Sequence, residues 1–164
     1  MNMRKKLFFC ITLMMLLCYL PMSAFSASSA FQQRGAQVVS PDPSLTVKVL
    51  KAYRSGEYVI VDMLFCNVSS KDFKVNIALQ RNEVSVYDEL GNQYTKGIYG
   101  KFTKDGSLSE LPRTLLPSEV PVRFSLYIKD VEEGVTFLPK IIFECRTGYS
   151  PAKLSIKNVR ISEQ

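Results

Sequence analysis

The segment Tyr58–Val68, YVIVDMLFCNV, constrains the fold more than any other part of the chain. Val59, Ile60, Val61, Met63, Leu64, Phe65 and Val68 crowd into it, interrupted by one acid and one cysteine. A run this short cannot cross a bilayer as a helix, which takes about 20 apolar residues. Its β-branched residues lose side-chain freedom against a helical turn and pack well on a pleated surface. Apolar residues in both alternating phases predict a central strand, covered on both sides or with one face in a sandwich core.

The flanking segments alternate as half-buried strands do. LTVKVLKAY (45–53) sets Leu45, Val47 and Val49 against Thr46 and Lys48, and the turn RSGE (54–57) makes a hairpin with the central strand. FKVNIALQ (73–80) alternates likewise, and EVSVYDELGNQY (83–94) reads as strand, turn and return. In EVPVRFSLYIK (119–129), Val120, Val122, Phe124, Leu126 and Ile128 oppose Arg123, Ser125, Tyr127 and Lys129. FLPKIIFECR (137–146) carries Ile141, Phe143 and Cys145 in phase. In AKLSIKNVRI (152–161), Leu154 and Ile156 are out of phase with Val159 and Ile161, which predicts a bulge at Lys157–Asn158. Alternation lapses from Lys96 to Pro117, read as a long loop with room for one helical turn at the capping-box spacing Ser107…Glu110. The pattern predicts an all-β antiparallel sandwich of about seven strands, with a barrel as the alternative.

Ahead of the strands, MNMRKK is basic, Leu7–Leu20 is apolar and PMSAFSA supplies small residues. That order is a secretory leader over residues 1–26, too short in its apolar part to serve as a stable span. A lipoprotein site at Cys18 is disfavoured by bulky Leu16, Leu17 and Tyr19. Residues 27–44, rich in Ser, Ala, Gln and Pro, read as a flexible tether, and the domain is expected over 45–164. The destination is the periplasm or the cell surface. The leader carries Arg4, Lys5 and Lys6 and no acid, so its removal lowers the net charge from +6 to +3. A balance that modest, without a clustered basic run, does not point to nucleic acid.

The chain has no histidine. A Ser-His-Asp triad, a Cys-His pair and imidazole metal ligation are therefore excluded, and the remaining Cys66 and Cys145 cannot form a usual zinc site. No metal, cofactor or catalytic residue is assigned, and the chain is read as non-enzymatic. In an oxidising compartment Cys66 and Cys145 are a candidate disulfide, worth about 4 kcal/mol through chain entropy; two reduced core thiols are the alternative. Asp62 is read as an outward carboxylate held by a neighbouring strand rather than as a general base. Asp88–Glu89 and Glu132–Glu133 read as solvated turn acids. Asn67-Val68-Ser69 matches a glycosylation sequon of low information content, and a strand-ending Asn that caps a turn is the preferred reading. The aromatic and basic residues Tyr94, Lys96, Tyr99, Lys101, Phe102, Lys104 and Arg113 are the candidate binding set, suited to an anionic sugar, a lipid head group or a peptide.

Three segments resemble a family of exported bacterial domains of unknown function with an immunoglobulin-like sandwich. YVIVDMLFCNVS is similar to its V-V-D-x-x-V-x-N second strand, VYDELGNQY to its D-x-x-G-x-x-Y hairpin, and LLPSEVPVRFSLYI to its P-G-E turn, with Ser118 where Gly is usual. The resemblance covers about Leu45–Ile161. It implies an immunoglobulin-like fold with Val59, Val61, Met63 and Phe65 inward and Cys66 outward, whereas a disulfide through the core would turn Asp62 and Cys66 inward. It carries no catalytic residues. The expected function is a binding module for an envelope protein or glycan; the alternative is a structural or accessory subunit of an envelope assembly.

Overall fold

In the computed structural model, which describes residues 35–147 and 151–162, the apolar segment becomes β3 (Tyr58–Asn67). It is flanked along its whole length by β2 (Leu45–Ser55) on one edge and β9 (Pro121–Lys129) on the other. The β2–β3 hairpin turns through Gly56 and Glu57, and the positive φ of 58° at Gly56 is what a II′ turn needs at its first loop position. β7 (Ile98–Phe102) adds to the far edge of β9.

The second half of the domain is organised by β10 (Phe137–Thr147) and β11 (Pro151–Ser162), paired antiparallel over most of their length. The other edge of β10 is shared: β5 (Val84–Tyr87) takes Lys140–Phe143, and β4 (Phe73–Ala78) takes Glu144–Thr147. β6 (Gln93–Tyr94) extends β5, and β8 (Arg113–Leu116) extends β4. β1 (Gln37–Val39) pairs with β11.

The chain is all-β, with eleven strands and no helix among the described residues. The sheet is mixed rather than purely antiparallel, because Ile161 and Ser162 of β11 run parallel to Ala52 and Tyr53 of β2. This short parallel contact joins the two halves. On the opposite side, Ser109 exchanges hydrogen bonds with Gly100 of β7, while Glu110 and Pro112 accept from Leu79 and Ile77. The sheet thus folds back on itself into a near-barrel. Three sequence expectations change. The expected loop 96–117 contains β7 and β8, and no helical turn forms at Ser107–Glu110. Gln37–Val39, assigned to the tether 27–44, is a strand. The four strands beyond the seven expected are β1, β6, β7 and β8, of 3, 2, 5 and 4 residues, too short for alternation to stand out. The leader 1–26 and tether residues 27–34 lie outside the described residues.

The core follows the odd phase of β3: Val59, Val61, Met63 and Phe65 are fully buried, opposite Ile141, Phe143, Cys145, Leu154 and Ile156. At its centre Phe65, Phe102 and Phe124 are in mutual ring contact, with centroids 4.8–5.7 Å apart, and Phe143 lies 6.3 Å from Phe124. Gly100 makes room for them, since a Cβ there would lie 2.6 Å from the Phe124 ring. Two irregularities reset the alternation. The β2–β3 register shifts between Val49 and Lys51, so that Ala52 points inward while Lys51 and Tyr53 point out. In β11, Asn158 adopts a φ of 60°, yet the pairing with β10 stays in step from Lys140–Lys157 to Leu138–Val159. The expected bulge is therefore a bend shared by both strands, and it delivers the end of β11 to β2.

Candidate functional site

The outward side of β2–β3–β9–β7 carries the most concentrated array of functional side chains. Pairing places Tyr53, Ile60, Tyr127 and Tyr99 in one row across the four strands, and Lys51, Asp62, Ser125 and Lys101 in the next. Tyr58 and Lys129 pair beyond the tyrosine row, and Leu64 and Arg123 beyond the lysine row. The tyrosines are half-buried, as side chains lying on a sheet are, and Tyr58 meets Tyr127 edge to face with centroids 5.8 Å apart. The Lys51 ammonium sits 4.3 Å over the Tyr53 ring and that of Lys101 5.6 Å from the Tyr127 ring.

At the centre of this face lies Asp62, only 1% exposed. Ser125 Oγ donates to its Oδ1 at 2.6 Å, and Arg123 donates to and ion-pairs with Oδ2. Asp62 is thus on the outer side of β3 and held by a neighbouring strand, as expected. The hydrogen bond from Arg123 and the nearby carboxylate charge hold the guanidinium above its ordinary pKa. Both carboxylate oxygens are engaged. The arrangement is that of a structural clamp between β3 and β9. Lys129 pairs with Glu57 at 3.2 Å, whereas Lys48, Lys51 and Lys101 have no acidic partner among the described residues.

The seven predicted binding residues do not assemble into one site. Tyr99 and Lys101 reach the tyrosine face through β7. Phe102 does not, because consecutive strand residues point to opposite sides, and it is buried in the aromatic core. Lys96 and Lys104 are exposed on the turns flanking β7, and the Lys104 carbonyl accepts from Lys101 Nζ. Arg113 lies in the other half of the sheet, where it lines an open groove of about 640 Å³ with Asn76, Gln80, Glu83, Ser109 and Arg146. Arg146 is engaged there by Glu144 at 2.5 Å and by Glu83 at 3.8 Å.

Tyr94 serves the hairpin instead. Its hydroxyl donates to Asp88 Oδ2 at 2.8 Å, and the same carboxylate accepts from the backbone N–H groups of Leu90 and Asn92 and from Asn92 Nδ2. Asp88 is buried at 3% exposure, not a solvated turn acid. Desolvation pushes its pKa up, but the hydrogen bonds from Asn92, Tyr94 and the backbone outweigh that and hold it below the usual value. The D-x-x-G-x-x-Y spacing thereby gains a physical meaning: Asp88 ties the turn, Gly91 supplies a φ of 89°, and Tyr94 closes the far side. Glu89 accepts from Thr136, and Glu132 accepts from Asn92, so these two acids staple turns together, while Glu133 is an exposed turn acid as expected.

Asn67 is also internal, with 0% exposure. Its Nδ2 donates to the carbonyls of Lys71 and Leu116, and its Oδ1 accepts from the backbone and hydroxyl of Ser69. It is the turn cap; in the folded domain the sequon has no free amide. Cys66 and Cys145 are free thiols, not a disulfide. Cys66 is in the outward phase of β3, while Cys145 is in the core on β10, where burial pushes its pKa up to about 12. No three Cys, Asp or Glu side chains gather as a metal site among the described residues.

Fold and site together define an all-β near-barrel that displays a tyrosine–cation face on four neighbouring strands. Compared with known proteins, the chain matches no family model, and no curated protein matches it either. Sequence reasoning found only part of the face. Arg123, Ser125, Tyr127 and Lys129 are legible as the polar phase of β9, but Lys51 and Tyr53 join them only after the shift in β2.

Proposed function

We propose that the chain is an exported, non-enzymatic binding module that engages a protein or glycan at the cell envelope. The observation that carries this reading is the exposed face bearing Tyr53, Tyr58, Tyr99 and Tyr127 beside Lys48, Lys51, Lys101 and Arg123. Rigid amphipathic rings next to cations bind partners at low entropic cost. The buried acid on this face, Asp62, is consumed by Ser125 and Arg123, which suits a rigid scaffold better than proton transfer. In this reading residues 1–26 are a cleaved signal peptide, the folded part is an immunoglobulin-like sandwich, and the chain is related to the exported domains it resembles. Support for the leader is its basic, apolar and small-residue order.

The test is co-sedimentation of the exported protein, recovered from cells expressing the full chain, with an envelope fraction. Retention of the wild type and its loss in Tyr53→Thr/Tyr127→Thr, with the variant still folded at the assay temperature by circular dichroism, is the expected result. Equal retention of the folded variant would remove the face from the argument.

A further inference from the structure

We infer that the tyrosine–cation face binds an acidic polysaccharide, laid across β2, β3, β9 and β7. The inference rests on the binding-module reading and narrows it to a ligand class. Three observations select that class.

The first is charge. The face offers Lys48, Lys51, Lys101, Arg123 and Lys129, and its two acids are already occupied, Asp62 by Arg123 and Glu57 by Lys129. Three ammonium groups are left without acidic partners among the described residues, so the complementary ligand is anionic. The second is shape and chemistry. Sheet register sets Tyr53 and Tyr127 two strands apart, about 10 Å at the usual inter-strand spacing, with Tyr99 one strand further. Lys51 and Lys101 terminate the adjacent row, three strand steps or about 14 Å apart. Aromatic rings spaced in a line offer the C–H faces of successive pyranose rings a stacking surface, and the cations at the two ends of the adjacent row meet carboxylates of the same chain. The lysines are held over the rings, which lowers the rotamer entropy lost on binding.

The third is what the face lacks. Its apolar residues are nearly all withdrawn: Ile60 is 6% exposed and Leu64 is half-buried, and Leu50, 44% exposed at the β2 bulge, is the single large apolar side chain exposed on these four strands. A protein partner would be expected to meet an apolar interface core, as such interfaces have.

The probe is polygalacturonate, which carries one carboxylate per pyranose, measured by biolayer interferometry on the exported protein. Its methyl ester keeps the sugar chain without the charge, and poly-glutamate keeps the carboxylates without the sugar. The expected result is polygalacturonate binding at least tenfold tighter than either. Lys51→Gln/Lys101→Gln and Tyr53→Thr/Tyr127→Thr should each weaken it tenfold or more. Lys74→Gln/Lys153→Gln, which removes the same charge from the other half of the sheet, should leave it unchanged. Equal binding of poly-glutamate, or an equal loss in the Lys74/Lys153 control, reduces the face to a generic polyanion surface and overturns the inference. Equal binding of the methyl ester overturns the role of charge. If polygalacturonate fails to bind while envelope retention still depends on Tyr53 and Tyr127, the ligand class falls and the binding reading stands. If retention is also independent of the face, both fall.

Discussion

The clamp at Asp62 lends itself to a double-mutant cycle. Its carboxylate is 1% exposed, but the Arg123 side chain that pairs with it is 51% exposed, so one side of the ion pair reaches solvent. Arg123→Met strands a buried charge. A fully enclosed charge would cost about 3–5 kcal/mol, and solvent access at Oδ2 discounts this to about 2 kcal/mol. Asp62→Leu removes the charge and frees an arginine already half in water, leaving only the buried Ser125 hydroxyl without its acceptor, at about 1 kcal/mol. The double variant Asp62→Leu/Arg123→Met keeps that single defect and should also lose about 1 kcal/mol. The coupling between the two sites is therefore about 2 kcal/mol. Urea unfolding of the four proteins at pH 7 measures it. Additive single effects, or Arg123→Met within about 0.5 kcal/mol of wild type, would refute the claim that Asp62 is a buried charge held by this pair.

Three further outcomes follow from the same geometry. Gly100→Ala drives a methyl group to 2.6 Å from the Phe124 ring and 3.0 Å from Leu79, and should cost about 1–3 kcal/mol; Phe124→Leu in that background should recover part of the loss, as read by thermal unfolding. Asp88 has a folded pKa held below its unfolded value, as does Asp42 through the Thr147 hydroxyl and the Ser44 backbone. Their contribution is complete above the unfolded carboxyl value of about 3.9 and is lost as the pH falls through the lower folded values, so Asp88→Asn should flatten the acid limb of a stability–pH curve. Cys145, with its pKa raised to about 12 and 1% exposure, should resist iodoacetamide at pH 8 in the native protein and react once unfolded in urea; native labelling at the unfolded rate would contradict its burial.

Much of this domain was legible before any coordinates. Strand identity for β2, β4, β9 and β10 follows from period-two alternation, because each has one face in the core and the other toward water, and that of β3 from its dense run of β-branched and apolar residues. The inward phase of β3 and the outward Asp62 were favoured only through the family resemblance, because apolar residues occupy both phases of that strand and a Cys66–Cys145 bridge would have required the opposite one. Partners that come from distant strands were not. Asp88 looks like any turn acid until Tyr94, Asn92 and two backbone N–H groups close around it. Phe102 looks like a loop aromatic until Gly100 lets it pack with Phe65 and Phe124.

The amino-acid sequence by itself determined an all-β chain without imidazole chemistry, since alternation and composition are local properties. The tertiary structure decided the rest. The shift after Val49 turned Lys51 and Tyr53 outward, and strand pairing set them beside Tyr127, Tyr99 and Lys101. A face built from four strands has no spacing in sequence. It exists only because hydrogen-bonded register places residues from positions 51 to 127 in rows across neighbouring strands, about 5 Å from one strand to the next.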